Sequence, residues 1–239
     1  MLPTMTVTSP TAPPAEVHSA PVAVRRGRGV TLLGWVGLAG FAGIFALVRG
    51  HRSEAFDIAL TLKLQRRNHP MLARLMRAAS WPGFPPQSRV LPFAIAACFA
   101  AARLRLEAAF AVLAYGTAGV ATVTKVLMRR PRPVAGTDLR VVTAPLGGTS
   151  FPSGHTITYM GVYGFLAYLL HTLIRPVAIR RIAVGSLVGL LAIVGPSRVH
   201  QGHHWFTDVT ASYLLGLSYL IGLTSVYRRI KARRAGVRP

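Results

Sequence analysis

The sequence predicts an all-α integral membrane protein with six transmembrane helices. Three observations predict it. Hydrophobic residues make up 51% of the chain and charged residues only 14%. The apolar residues run in long blocks that are apolar all round, as in buried or lipid-facing helices, rather than in amphipathic stripes. The basic residues sit between those blocks and at the C-terminus, where membrane-flanking anchors belong. The net charge is +22, from 28 Lys and Arg against 6 acids. A soluble chain so basic would point to nucleic acid, but no zinc-finger or RNA-binding motif accompanies the charge, so lipid headgroups are the expected partners.

Residues 1–24 carry five prolines and no Lys or Arg. They read as a disordered tail without the basic start and apolar centre of a signal peptide. Arg25, Arg26 and Arg28 precede the first apolar block, Val30–Val48, an uncleaved anchor. The long segment 50–89 mixes basic and apolar residues and is expected to place a helix on the headgroups, with a turn at Pro82–Pro86. Five further spans follow: Val90–Ala102, Glu107–Leu127, Thr156–Ile174, Ile182–Gly195 and Val209–Tyr227. The second and fifth spans fall short of the roughly 20 residues a crossing needs, although Pro196 and Ser197 can prolong the fifth. The membrane domain is expected over 25–228, with a basic cytoplasmic tail over 229–239. Cys98, the lone cysteine, excludes an intramolecular disulfide and a cysteine zinc site.

With both termini inside, Lys and Arg divide 14 to 14 between the two faces. The cluster Arg228, Arg229, Lys231, Arg233 and Arg234 abuts the last span, where the positive-inside rule weighs most. It favours both termini in the cytoplasm of a multi-pass inner or plasma membrane protein.

Three clusters carry the chemistry. Lys125 and Arg132 close the third span. Phe151-Pro152-Ser153-Gly154-His155 leads into the fourth. Ser197-Arg198 and His200 to Asp208 join the fifth to the sixth. The fourth and fifth spans form a hairpin, so the second and third clusters emerge on one side. The first and second share a loop, so all three can meet. Lys125, Arg132 and Arg198 then supply fixed positive charge, and Arg presents a planar fork that matches phosphate oxygens. Ser153 adds a hydroxyl, Gly154 lets backbone approach an anion, and the start of the fourth helix offers free amides. His204 and Asp208 are four residues apart; on a helix they share a face, and Asp208 can accept the ring proton of His204 and aim the other nitrogen at phosphorus. His155 remains to protonate a leaving alkoxide.

These residues resemble the signature of the type 2 phosphatidic acid phosphatase superfamily, which also contains the vanadium haloperoxidases: Lys-x6-Arg-Pro, Pro-Ser-Gly-His and Ser-Arg-x5-His-x3-Asp, complete and in order. The resemblance covers Glu107 to the sixth span. It implies a six-helix membrane fold, phosphate-ester or diphosphate hydrolysis of a lipid without metal or other cofactor, and a phosphohistidine on His204. It further implies Asp208 as partner of that histidine, His155 as acid and base, and Lys125, Arg132, Ser153, Gly154 and Arg198 as phosphate ligands. The site is expected at the outer membrane face. Undecaprenyl diphosphate, phosphatidate and phosphatidylglycerophosphate all fit, and the signature does not choose among them or read the oligomeric state.

The rival reading is a membrane di-iron oxidase or desaturase. His200-Gln201-Gly202-His203-His204 matches a His-x-x-His-His box, and imidazoles bind iron well. Such an enzyme needs several boxes, and no other two histidines here lie within four residues. A transporter lacks its broken-helix pairs, and haloperoxidases are soluble. Arg129 and Arg130 read as membrane anchors, His18, His51, His69 and His171 as structural or solvated, and Thr149 and Ser150 as loop caps.

Overall fold

The computed structural model describes residues 20–66, 69–134, 139–141 and 148–236. The expected tail over 1–24 lies largely outside them, and so does Asp138. The described residues form nine α-helices and no strand. They are α1 (Ala20–Arg49), α2 (Glu54–Gln65), α3 (Pro70–Ser80), α4 (Gln87–Ala101), α5 (Arg105–Ala114), α6 (Gly116–Met128), α7 (Gly154–Leu173), α8 (Val177–His200) and α9 (Phe206–Arg234), with a 3-10 turn at Trp81–Gly83 between α3 and α4.

Among the described residues, four stretches are long and apolar enough to cross a membrane: Gly27–Arg49, Arg105–Met128, Val177–His200 and Phe206–Arg234. The second is α5 and α6 run together, with a turn at Tyr115. α4 is apolar but has 15 residues. α7 has 20, long enough for roughly 30 Å of hydrocarbon, yet it is the central helix. Half of its residues are buried against α5, α6, α8 and α9, and three tyrosines and two histidines dilute its hydropathy. The fifth expected span runs on past Gly195, since α8 continues through Pro196 to His200. α9 carries the C-terminal basic cluster as far as Arg234 as helix.

The helices pack through small residues, which let backbones approach where lipid supplies no hydrophobic drive. A Cβ on Gly161 of α7 would lie 2.4 Å from the Ala114 carbonyl oxygen, so only glycine fits there. α1 lies along α9, where Ser218 Oγ donates to the Gly34 carbonyl at 2.8 Å. At one end of the bundle, Phe110, Phe165 and Tyr227 build an aromatic core. Beside it Glu107 Oε1 accepts from Tyr227 Oη and from Lys231 Nζ, each at 2.8 Å.

The opposite end gathers the C-terminus of α6 and α8 and the N-terminus of α7 and α9. α2, α3 and the 3-10 turn cap it, two helices where the sequence of 50–89 predicts one on the headgroups. Pro70 occupies the first turn of α3, and His69 caps it, its Nδ1 accepting from Met71 N at 3.2 Å. His51 pairs with Glu54 at 2.7 Å, and both are exposed. Cys98 is an exposed position of α4.

Candidate active site

Each cluster sits at a helix end because local chemistry stops or starts the helix there. α6 ends where Arg129 enters the left-handed region (φ 51°), and the Arg-Pro-Arg-Pro sequence behind it cannot continue a helix. α7 begins at Ser153, whose extended backbone and hydroxyl form an N-cap on Thr156. α9 begins after Trp205, whose backbone N–H is accepted by Asp208 Oδ2 at 2.9 Å.

The structure brings all three clusters together. Lys125 Nζ donates to the Thr149 carbonyl at 2.7 Å. Arg132 Nη1 donates to the His203 carbonyl at 2.8 Å and lies 3.2 Å from His204 Nε2. Arg198 is fully buried, and its Nη2 contacts His203 Nδ1. The Phe84 ring lies under the Arg198 guanidinium, 4.9 Å from its carbon, and meets the His155 ring edge-on at 4.7 Å. Arg132 Nε, Arg198 Nε and Nη1, and His155 Nε2 are buried with no protein partner. Buried polar groups are normally paired, and this convergence of guanidinium donors forms a cationic cradle with the donors an anion requires. Ser153 is buried and turned into the same end; its oxygen accepts from Thr156, which leaves its own proton to donate. A Cβ on Gly154 would meet nothing nearer than Lys125 Cε at 4.0 Å, so Gly154 opens toward the Lys125 side chain.

His204 differs from expectation in one respect. It lies in the turn before α9, not on the helix, so Asp208 is not stacked one turn above it. Asp208 Oδ2 stands 3.6 Å from His204 Nδ1, beyond a hydrogen bond. Nδ1 instead lies 2.8 Å from the Ser150 carbonyl. A carbonyl can only accept, and the Arg132 guanidinium at Nε2 can only donate. These partners fix the tautomer: the proton is on Nδ1, and the Nε2 lone pair faces the cationic cradle. Burial first, and then the positive charges of Arg132, Arg198 and Lys125, hold the His204 pKa well below the usual histidine range. The ring is therefore neutral at pH 7. Burial and Arg198 push His203 down to about 3. Burial also lowers the Arg132 pKa, while Asp208 opposes the shift.

Two residues escaped the sequence reading. Arg130, taken there for a membrane anchor, is buried. Its Nη1 donates to Asp208 Oδ1 at 2.7 Å and to Thr207 Oγ1 at 2.8 Å, and its Nη2 to Asp57 Oδ2 at 2.6 Å. Asp57, from α2, is fully buried and accepts from Thr207 N at 2.9 Å. Two signals pointed to them. Acids are scarce in this chain, and one near a membrane is costly unless paired. Arg130 also precedes Arg132 by two in a chain segment where no helix is possible. Thr149 and Ser150 do more than cap a loop, since their carbonyls hold Lys125 and His204.

Among the described residues, no group of three or more His, Cys, Asp or Glu side chains is placed to hold a metal ion. The His-x-x-His-His run spreads out: His204 joins the cradle beside Arg132, His203 packs on Arg198, and the His200 carbonyl accepts from Gln65 Nε2 at 3.3 Å.

Fold and site together define a membrane-embedded helical protein that collects guanidinium and ammonium groups around a neutral histidine. The PAP2 superfamily profile matches residues 107–232, and the chain belongs to that superfamily. It is 35% identical over 86 residues to phosphatidylglycerophosphatase B of Bacillus subtilis (strain 168), a match spanning 36% of this chain and 42% of that relative. The fold is similar to the crystal structure of a transmembrane PAP2-type phosphatidylglycerolphosphate phosphatase from Bacillus subtilis, with TM-score 0.72 and 23% identity over 82% of this chain and 96% of that one. It is also similar to Aquifex aeolicus LpxE, with TM-score 0.56 and 22% identity over 70% and 94% of the two chains. At these identities the likeness is one of fold.

Proposed function

We propose that this protein is a membrane lipid phosphatase that works through a phosphohistidine on His204 and takes no metal. The observation that carries the reading is the fixed His204 tautomer, with its Nε2 lone pair directed into a ring of guanidinium groups. A phosphoryl group held by Lys125, Arg132, Arg198, Ser153 and the α7 N-terminus presents its phosphorus to that lone pair. As the N–P bond forms, the bond to the lipid oxygen breaks. That oxygen takes a proton from Nε2 of His155 in its imidazolium form, the form a bound phosphate favours, which leaves a neutral imidazole. Water then attacks phosphorus with His155 as base, giving phosphate and restoring His204. The Ser150 carbonyl, with Asp208 behind it, stabilises the positive charge that develops on the ring.

The lipid half of the assignment rests on a cleft of about 240 Å³ between the 3-10 turn, α4, α6 and α7. Lys125, Gly154 and His155 line its polar end, and Pro92, Tyr115 and Val162 its apolar end. Such a groove suits an acyl or prenyl chain with its phosphate at the catalytic end. α4 and α7 complete six crossings in this reading, with both termini in the cytoplasm and the site at the outer headgroup level. Phosphatidylglycerophosphate is the first substrate to test, given the relatives' names, followed by phosphatidate and undecaprenyl diphosphate.

A panel of these three lipids, presented to purified protein in mixed micelles with EDTA, tests the reading. Phosphate release from at least one is expected. Release that occurs only after a divalent metal is restored overturns it.

A further inference from the structure

Outside the region that carries the family signature, α2 delivers a buried carboxylate to the back of the site. Asp57 Oδ1 accepts the Thr207 backbone N–H at 2.9 Å, and Asp57 Oδ2 accepts from Thr207 Oγ1 at 2.7 Å. Asp208 Oδ2 accepts the backbone N–H of Trp205. Two carboxylates from different helices thus each accept one amide donor at the start of α9, where negative charge is favoured. Arg130 bridges them, with contacts of 2.6 Å to Asp57 and 2.7 Å to Asp208, and its guanidinium also lies 5.6 Å from the centre of the Trp205 ring. Ser53 Oγ adds a longer contact of 3.3 Å to Arg130 Nη2. This assembly reaches His204 through Asp208, the 203–205 turn and Ser150, whose N–H donates to the Arg130 carbonyl at 2.8 Å and whose own carbonyl holds His204 Nδ1.

We propose that Asp57, acting through Arg130, is a positioning residue for catalysis: it holds Asp208 and the start of α9 so that the turn bearing His204 keeps Nε2 directed at phosphorus. Arg130 carries one positive charge between two carboxylates, so the group as a whole is anionic and faces the imidazole that becomes positive in the reaction. Without the Asp57 charge, Arg130 draws on Asp208 alone. The anionic character behind His204 is neutralised, and in Asp57→Asn the side chain keeps one acceptor for the Thr207 N–H but turns an amide donor toward Arg130. Removing one member of a buried charged set leaves the others uncompensated, which is costly and is relieved by movement. A displacement of about 1 Å at the reacting atom lowers turnover on the order of 10²-fold.

This inference rests on the phosphohistidine reading, and the test separates the two. Full-length protein in detergent would be assayed as wild type, His204→Ala, Asp57→Asn, Thr207→Val and Glu107→Gln. Turnover per folded molecule, KM and single-turnover labelling by 32P-lipid phosphate would be measured for each. Asp57→Asn is expected to lower kcat and the labelling rate about 10²-fold with KM within about threefold, because the phosphate ligands are untouched. Thr207→Val removes only the hydroxyl link and is expected to lower kcat about tenfold; it carries the test if Asp57→Asn does not fold. Glu107→Gln removes a buried carboxylate at the far end and should leave kcat unchanged per folded molecule. A wild type that labels on His204, with Asp57→Asn or Thr207→Val turning over within twofold of it, overturns the inference alone. An active His204→Ala overturns the underlying reading instead.

Discussion

Gly83 is the position where a single methyl group should reach the catalytic chemistry most directly. It closes the 3-10 turn before α4, and a Cβ built on it would lie 2.2 Å from Cδ2 and 2.8 Å from both Cγ and Nε2 of His155. All three clashes fall on one imidazole ring, which is packed edge-on against Phe84. Ordinary van der Waals contact begins near 3.4 Å, so in Gly83→Ala the ring or the turn must retreat by roughly 1 Å, a shift that typically costs about 10²-fold in rate. That corresponds to about 3 kcal/mol in the barrier. The general stability cost of the methyl is about 1–3 kcal/mol and is read separately by thermal unfolding. The assay compares kcat/KM for an alkyl lipid phosphate and for p-nitrophenyl phosphate, since this ratio includes only the steps up to phosphoenzyme formation. If His155 protonates the leaving alkoxide, the loss is large for the alkyl substrate and small for p-nitrophenol, which leaves without a proton. Equal losses on both substrates, or none on either, would refute the assignment of His155 as the acid.

Three further outcomes follow from the same structure. Vanadate, which adopts the trigonal-bipyramidal geometry of phosphoryl transfer, is expected to inhibit wild-type protein competitively, and Arg198→Ala should lose that inhibition; vanadate binding that survives the substitution would move the anion site elsewhere. Glu107→Gln keeps an acceptor oxygen for Tyr227 and Lys231 but removes its charge, so it should cost about 1 kcal/mol of stability in denaturant unfolding with kcat retained. For pH, the sign follows from His203 and His204, both with folded pKa below the ordinary 6.5. Their contribution is complete above pH 6.5 and shrinks as pH falls, because the unfolded chain binds protons that the folded chain does not. The melting temperature of wild type should therefore fall steadily between pH 6.5 and pH 4, and less steeply in His203→Gln; a flat profile would contradict the buried neutral histidines.

The three clusters were legible as neighbours because their signals were local. Lys125, Arg132, Ser153, His155, Arg198 and His204 are spaced by helix ends, and a hairpin of α7 and α8 suffices to bring the clusters to one face. The reading failed where the partner was distant in sequence or came from backbone. Arg130 looked like an anchor because nothing near it in sequence is acidic; its carboxylates are Asp57 and Asp208, 73 and 78 positions away. The Nδ1 partner of His204 is a main-chain carbonyl, which no residue type announces. The expected face shared by His204 and Asp208 failed because Asp208 itself starts the helix, by accepting the Trp205 amide, and so leaves His204 outside it. α7 read as an ordinary span because hydropathy does not separate a helix surrounded by protein from one surrounded by lipid.

A phosphoryl group on His204 can be trapped chemically. Full-length protein in detergent with EDTA would be mixed with 32P-labelled phosphatidylglycerophosphate, or the best substrate of the panel, quenched in alkali within milliseconds, digested and mapped. The account predicts an alkali-stable, acid-labile label on the peptide carrying His204, absent in His204→Ala and formed at least as fast as turnover. Turnover without such a label, or a label on any other residue, would contradict it.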